Sequence, residues 1–358
     1  MSLKIRYVAG SIISLYFFVS AIVLIKTSAA SLGELLAQSI VHVIKDTTSG
    51  VSAGWIGTAL LHSSGAFDSI VCALVSTGVM PLGLAVSTVI GAELGTTVTP
   101  FLISVLNQVR GKERQLAIFN VTLTHVFYNL ATLAIFYPLE LVFGLLTKVA
   151  FLGSTIFVKA SWLNSIPNTL EVFTPWIPML LLYIPTWCGI AGGALLLVLA
   201  LGGLERYMTE LFNMPRSWNL IRGTFAKPLR AFLAGLLFTL LIPSTTVMVS
   251  LLIPLALSGV LSADYYILPY ILGSNIGTCF SVMLAAMATG DPVAMGVWLV
   301  QLIINLVGAA TFLILMKPFS RFVRAVAEKV ATTPRLTLAI TVIFHLIPTS
   351  IIIFYVLS

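Results

Sequence analysis

Charge is what this chain has least of. Of its 358 residues, 19 are Lys or Arg and 12 are Asp or Glu, 9% in all, where a soluble domain carries about 25%. That scarcity excludes a conventional water-facing surface. Cysteine is sparse as well: Cys72, Cys188 and Cys279 lie far apart in apolar segments, show no metal-ligand spacing and read as buried free thiols. Catalytic constellations are missing too. Beyond His62, Asp68 and Glu93, whose spacing matches no recognised pattern, nothing pairs a nucleophile with a base or gathers metal ligands, so an enzyme is not expected. No Lys or Arg occurs between Asp46 and Val109 or between Ala231 and Met316.

What fills the space is hydrocarbon. Hydrophobic residues make up 59% of the chain, and the mean hydropathy is +1.07. Residues 7–25, 177–201, 293–316 and 336–357 reach the ~20 residues that cross a bilayer as a helix. The expected class is an all-α, multi-span membrane protein. The net charge of +7 then reads as the positive-inside rule, because the basic residues sit in short loops, and no nucleic-acid partner is expected. Near the N-terminus Lys4 and Arg6 precede an apolar run, and Ser28-Ala29-Ala30 resembles a signal-peptidase site. The run is about 19 residues, long for a signal peptide, so a retained transmembrane helix is expected, with Ser31 outside.

Basic and non-basic loops alternate along the chain. Lys4 and Arg6 mark the inside. Residues 26–46 are balanced, Lys26 and Lys45 against Glu34 and Asp46. The stretch from Arg110 to Arg114 is basic. Residues 139–173 are balanced, Lys148 and Lys159 against Glu140 and Glu171. Residues 205–230 hold five basic and two acidic residues, 286–293 hold only Asp291, and 317–335 hold five basic residues against Glu328.

Two stretches repeat each other. Thr58-Ala-Leu-Leu-His62-Ser63-Ser64-Gly65 matches Thr239-Leu-Leu-Ile-Pro243-Ser244-Thr245-Thr246. Gly91-Ala-Glu93-Leu-Gly95-Thr96-Thr97 matches Gly273-Ser-Asn275-Ile-Gly277-Thr278-Cys279. His125 and Asn129 match Gln301 and Asn305. Ser63 precedes Gly91 by 28 residues and Ser244 precedes Gly273 by 29, which marks an internal repeat. The loop after the first glycine motif is basic and the loop after the second is not, so the copies are expected in inverted topology.

The expected organisation follows. Residues 1–50 form a transmembrane helix and an external linker. Repeat 1 spans 51–137, with a re-entrant hairpin at 51–80, a broken helix at 82–108 and a helix at 115–137. Residues 138–230 connect the repeats through an external loop, a transmembrane helix at 174–203 and a basic internal loop; residues 140–162 are consistent with an interfacial helix. Repeat 2 spans 231–316, with a hairpin at 231–261, a broken helix at 264–287 and a helix at 293–316. Residues 317–358 form a basic internal loop and a last transmembrane helix. The N-terminus is expected inside the cytoplasmic membrane and the C-terminus outside.

Both hairpin tips are rich in hydroxyls: Ser63 and Ser64, then Ser244, Thr245 and Thr246. A Ser pair in a transmembrane helix ordinarily bonds back within it; its presence in both copies points to a site. The second half of each hairpin begins just after the hydroxyls, so its free N–H groups and positive dipole end face the break. Two such ends meeting make an anion site without a basic side chain. Gly91-x-x-x-Gly95 and Gly273-x-x-x-Gly277 alone would read as helix-packing motifs, but the oxygen side chain and hydroxyl that accompany each point to unwound segments, with Gly91, Gly273, Glu93, Asn275, Asp68 and Thr97 expected to bind a coupling sodium ion or proton and His62, Thr96 and Thr278 expected to join the tip hydroxyls on the substrate. A sodium site is expected at Glu93 and Asn275. His62, Asp68 and Glu93 are ionisable groups at membrane depth and therefore functional candidates. His125, Asn129, Gln301 and Asn305 are expected to support the unwound segments. His42 and His345 read as structural.

These motifs resemble the type II sodium–phosphate cotransporter family over residues 55–131 and 235–307. That family carries a Gln-Ser-Ser-Ser tip and a Gly-Ala-Asn-Ile-Gly-Thr-Thr segment in each repeat. The resemblance implies substrate held between two tips by Ser63, Ser64, Ser244, Thr245 and Thr246, coupled to sodium, with no further cofactor. The chain departs from the pattern at His62 and Pro243, which replace Gln, at Gly65, which replaces Ser, at Asp68, and at Glu93, which replaces Asn. A carboxylate about 5 Å from a unit of substrate charge costs roughly 3 kcal/mol at an effective dielectric near 20, so Asp68 and Glu93 must be protonated, bound to a cation or turned away. Expected partners are inorganic phosphate or another small anion, sodium, the lipid bilayer and a second copy in a homodimer. A proton-coupled transporter of another small anion, and a non-transporting scaffold or channel, are the competing readings.

Overall fold

The structure, a computed structural model, describes residues 3–106, 112–160, 174–212, 227–257 and 267–357. Every element among them is helical. Among the described residues six helical stretches are long and apolar enough to cross a membrane: Ile5–Ile25, Leu82–Val105, Gln115–Phe143, Ile267–Thr289, Pro292–Ile314 and Arg335–Leu357.

The chain opens with α1 (Leu3–Val43), one helix of 41 residues. It runs through most of the stretch expected as an external linker, because nothing stops it: no proline occurs before Pro81. Asp46 then starts α2 (Thr47–Leu61) with a capping box. Its carboxylate accepts from the Ser49 N–H at 2.8 Å, and Ser49 Oγ accepts from the Asp46 N–H at 3.0 Å. Burial pushes the Asp46 carboxyl up, but the Ser49 N–H and the hydroxyl of Tyr355 outweigh it and hold it below its usual value. α2 stops at His62, whose left-handed backbone (φ 56°) makes it the C-cap, and α3 (Ser64–Ser76) follows at once. α4 (Leu82–Gly95) and α5 (Val98–Leu106) are separated by a turn at Thr96 and Thr97. α6 (Lys112–Phe143) carries Pro138 inside it and overruns the expected end at 137.

α7 (Leu145–Val158) lies within 140–162, the part of the external connection that reads as an interfacial helix. It begins at Gly144 in the left-handed region, and the Glu140 carboxylate caps it, accepting from the N–H groups of Leu146 at 2.7 Å and Thr147 at 3.1 Å. The single helix expected over 174–203 is two, α8 (Trp176–Leu181) and α9 (Thr186–Phe212), with Pro185 at the interruption. The rest of that connecting segment, 161–173 and 213–226, and the basic loop at 107–111, lie outside the described residues.

In repeat 2, α10 (Pro228–Leu241) breaks at Ile242, Pro243 and Ser244, and α11 (Thr245–Leu257) follows. The end of that hairpin, 258–261, and residues 264–266 lie outside the described residues. α12 (Ile267–Thr289) then runs without interruption through Gly273–Cys279, so the unwound segment expected there is absent. α13 (Pro292–Ile314) is capped by Asp291. α14 (Met316–Thr332) is a helix where a basic loop was expected. Ser320, Val323, Ala327 and Val330 turn inward while Arg321, Arg324 and Lys329 stay exposed. α15 (Pro334–Leu357) closes the chain and turns Leu338, Leu346 and Phe354 outward, as a helix solvated by lipid does.

Two close seams explain the glycines. A methyl group on Gly54 would sit 1.8 Å from Thr88 O, and one on Gly91 1.8 Å from Val51 O, so α2 and α4 touch backbone to backbone. α10 and α12 do the same: methyls on Gly235 and Gly273 would sit 2.0 Å from Tyr270 O and 2.1 Å from Phe232 O. The repeats are also interleaved. α3 packs on α12 and α13, while α11 packs on α5 and α6. α7 packs on α13 through Gly153 and Gly296, and α14 packs on α6, where the Phe127 and Phe322 rings meet at 5.2 Å.

Candidate functional site

The two tips are built alike. Ser63 Oγ accepts from the Ala66 N–H at 3.2 Å and so caps α3; Ser244 Oγ accepts from the Val247 N–H, also at 3.2 Å, and caps α11. The helical ladders begin at the Phe67 and Met248 N–H groups, which donate to Ser63 O and Ser244 O. The N–H groups ahead of them, at Ser64 and Gly65 and at Thr245 and Thr246, form the open ends. The tips adjoin: a methyl on Gly65 would meet Ser281 Oγ at 2.8 Å and the Pro243 carbonyl at 3.8 Å. A crevice of about 230 Å³ lies beside them, lined by Ser11 and Phe18 of α1, by Leu241 and Pro243, and by Phe280 and Ser281 of α12.

The remaining hydroxyls are mostly engaged. Thr245 pairs with Thr278 by a hydroxyl–hydroxyl hydrogen bond. Thr96 and Thr97 donate back to Ala92 O at 3.0 Å and Leu94 O at 2.7 Å, while Thr246 is buried with no partner for its hydroxyl. His62 is exposed and hydrogen-bonds Thr99 of α5 at 2.7 Å. The structure therefore gives His62 a role in ending α2 and joining it to α5. Gly91 and Gly273 are taken by the seams: they are absent of side chain so that helices can approach, and both lie inside continuous helix.

The polar centre joins the repeats crosswise. Gln301 of α13 donates from one amide nitrogen to Asp68 Oδ2 at 2.9 Å and to Glu93 Oε1 at 3.2 Å. The two carboxylates, 0% and 6% exposed, therefore come within the sum of those two distances of each other. His125 of α6 lies near Asn275 of α12, and both its ring nitrogens and Asn275 Nδ2 are buried without a hydrogen-bond partner. Asn129 Nδ2 donates to His125 O at 3.1 Å, and Asn305 Nδ2 donates to Gln301 O at 3.0 Å, so both helices carry the same internal brace. Gln301 thus does more than the supporting role expected of it, since it contacts both buried acids directly.

Sequence reasoning missed several neighbours. Tyr128, fully buried, donates to Asn305 Oδ1 at 3.5 Å; its place three residues after His125, on the same helix face, was the available signal. Cys279 accepts from Asn305 Nδ2 at 3.7 Å, and Ser274 O accepts from Thr245 at 3.3 Å. Among the described residues no group of three or more His, Cys, Asp or Glu side chains is arranged to hold a metal ion.

Fold and site together define a multi-pass, all-helical membrane protein with a buried polar centre. The chain belongs to the Na+/Pi-cotransporter family, whose model matches residues 17–158 and 196–344. Sodium-dependent phosphate transport protein 2A of Ovis aries is 22% identical across 77% of this chain and 55% of its own length, and the protein of that name from Rattus norvegicus gives the same figures. Sodium-dependent phosphate transport protein 2B of Bos taurus is 26% identical over 38% of this chain and 20% of its own length. The chain spans about half the length of the 2A relatives it matches. No solved structure matches it.

Proposed function

We propose that the protein is a secondary active transporter that carries inorganic phosphate across the cytoplasmic membrane in symport with sodium. The observation that carries this reading is the pair of adjoining tips. Each offers a capping serine and two open backbone N–H groups at a helix N-terminus, and together they form a cradle for an oxyanion without Lys or Arg. A capping hydroxyl accepts from the helix and keeps its own proton to donate, so Ser63 and Ser244 serve both helix and substrate. Ser64, Thr245 and Thr246 complete the cradle. Family membership and the printed activity of the relatives support phosphate and sodium.

In this reading the repeats are inverted-topology copies, with the N-terminus inside and the C-terminus outside. The crosswise packing of α3 and α11 onto the opposite repeat supports it, as does the alternation of basic loops. Sodium is drawn to the carboxylate of Glu93, with Asn275 as the matching oxygen donor in the other copy. The test is uptake of radiolabelled phosphate by purified protein in proteoliposomes, with and without an inward sodium gradient. Uptake that needs the gradient is expected; uptake indifferent to sodium would sink sodium coupling. Glu93→Gln should alter the sodium or pH dependence, and an unchanged variant removes Glu93 from coupling.

A further inference from the structure

The residues that differ between the repeats point to a second ligand. Asp68 and Gln301 each present a planar head with two polar atoms. One edge is paired, Gln301 Nε2 donating to Asp68 Oδ2 at 2.9 Å. On the other edge Asp68 Oδ1 and Gln301 Oε1 are both buried without a hydrogen-bond partner, in side chains 0% and 1% exposed. An ionised carboxylate and an amide oxygen are both acceptors, so neither can satisfy the other. A proton on Oδ1 resolves both at once. The acid O–H can then donate to the amide carbonyl while the amide N–H donates to the acid, the pairing by which an acid and an amide close a ring of two hydrogen bonds. The second N–H of Gln301 remains for Glu93 at 3.2 Å.

We propose that Asp68 is a proton-binding site, which holds one proton while α3 is packed on α13 and releases it to water when the two helices part during transport. The inference rests on the transport reading of the preceding section. The groups facing Asp68 agree with it. Glu93 of α4 is the near acid, and Cys72 on α3 and Cys279 on α12 are the near thiols. His125 and Tyr128 of α6 are gathered around Asn275 and Asn305. α1 and α9 meet α3 through Phe18, Ala21 and Leu197, and α2 meets it through Gly57, all without charge. The corresponding residue in α11 is Val249, so this site belongs to repeat 1 alone.

The test is infrared difference spectroscopy of the full chain in proteoliposomes, titrated from acid to alkaline pH in water and in heavy water. Wild-type protein should show a deuterium-sensitive band of a buried, protonated carboxyl at neutral pH. Asp68→Asn, whose amide can form the same ring with Gln301, should lose that band, and Glu93→Gln should keep it. A missing band in wild type overturns the proposal, as does a band that survives Asp68→Asn or disappears in Glu93→Gln. If Asp68→Asn does not fold, wild type and Glu93→Gln decide between those outcomes. Uptake at a fixed sodium gradient gives the second readout. An added pH gradient should change wild-type phosphate uptake and leave Asp68→Asn uptake unchanged. Wild-type uptake indifferent to the pH gradient overturns the release step. Absence of phosphate uptake altogether sinks the phosphate reading, and the infrared bands then judge the proton site alone.

Discussion

In repeat 1 a serine caps α3 at 3.2 Å and Gly91 lies against Val51 O; in repeat 2 a serine caps α11 at the same distance and Gly273 lies against Phe232 O. One turn further on, the likeness ends. Asp68 and Glu93 stand where repeat 2 has Val249 and Asn275, and Gln301 stands where repeat 1 has His125. The α4–α5 pair breaks at Thr96, whereas α12 runs straight through. The backbone contacts have a single solution, and both copies keep it. The side chains at the centre face each other across the repeats, so one copy can carry the acids while the other supplies the amide that holds them.

The largest expected effect tests the shared half of this comparison. Gly91→Ala and Gly273→Ala each force a methyl into a backbone carbonyl, and each should cost about 3 kcal/mol, read as a lowered Tm in detergent. A large loss in one seam and none in the other would break the equivalence. Next come the crossed polar pairs. Gln301→Leu removes the buried donor that Asp68 and Glu93 share and should cost about 2 kcal/mol; His125→Leu removes a ring whose nitrogens make no hydrogen bond and should cost less. Equal losses would show that the acids do not distinguish the copies. Ser63→Ala and Ser244→Ala should each cost about 1 kcal/mol through the lost cap, and both should weaken phosphate-dependent thermal stabilisation. The smallest effect belongs to Glu140→Gln. It weakens the cap of α7 by about 0.5 kcal/mol and should leave α14, which starts at Leu315 without a side-chain cap, untouched.

Much of this fold was legible in the sequence, because a repeat reveals itself by spacing. The tips could be read from Ser63 and Ser244 beside residues that stop helices. The glycine motifs carry two readings, helix packing and unwinding, and the seams favour the first. Glycine loosens a helix and also lets two helices touch, and residues 91–95 or 273–277 alone do not say which; the answer lies on α2 and α10. α14 was hidden by its charges, which obscured the inward stripe of Val323, Ala327 and Val330. The bridge from Gln301 to Asp68 and Glu93 spans 233 and 208 residues, and no local pattern announces a pairing at that range.

The two glycine seams have a mechanical meaning. Helices held backbone to backbone cannot slide past each other without driving a carbonyl into an α-carbon. Under the proposed transport function, α2 with α4, and α10 with α12, would therefore each move as a unit. Any change that opens the centre to one side and then the other has to occur at the looser joints, where α3 meets α12 and α13 and where α11 meets α5 and α6. The tips and the Asp68–Gln301 contact lie on those joints, so in the proposed transport cycle movement there would remake or break the site itself.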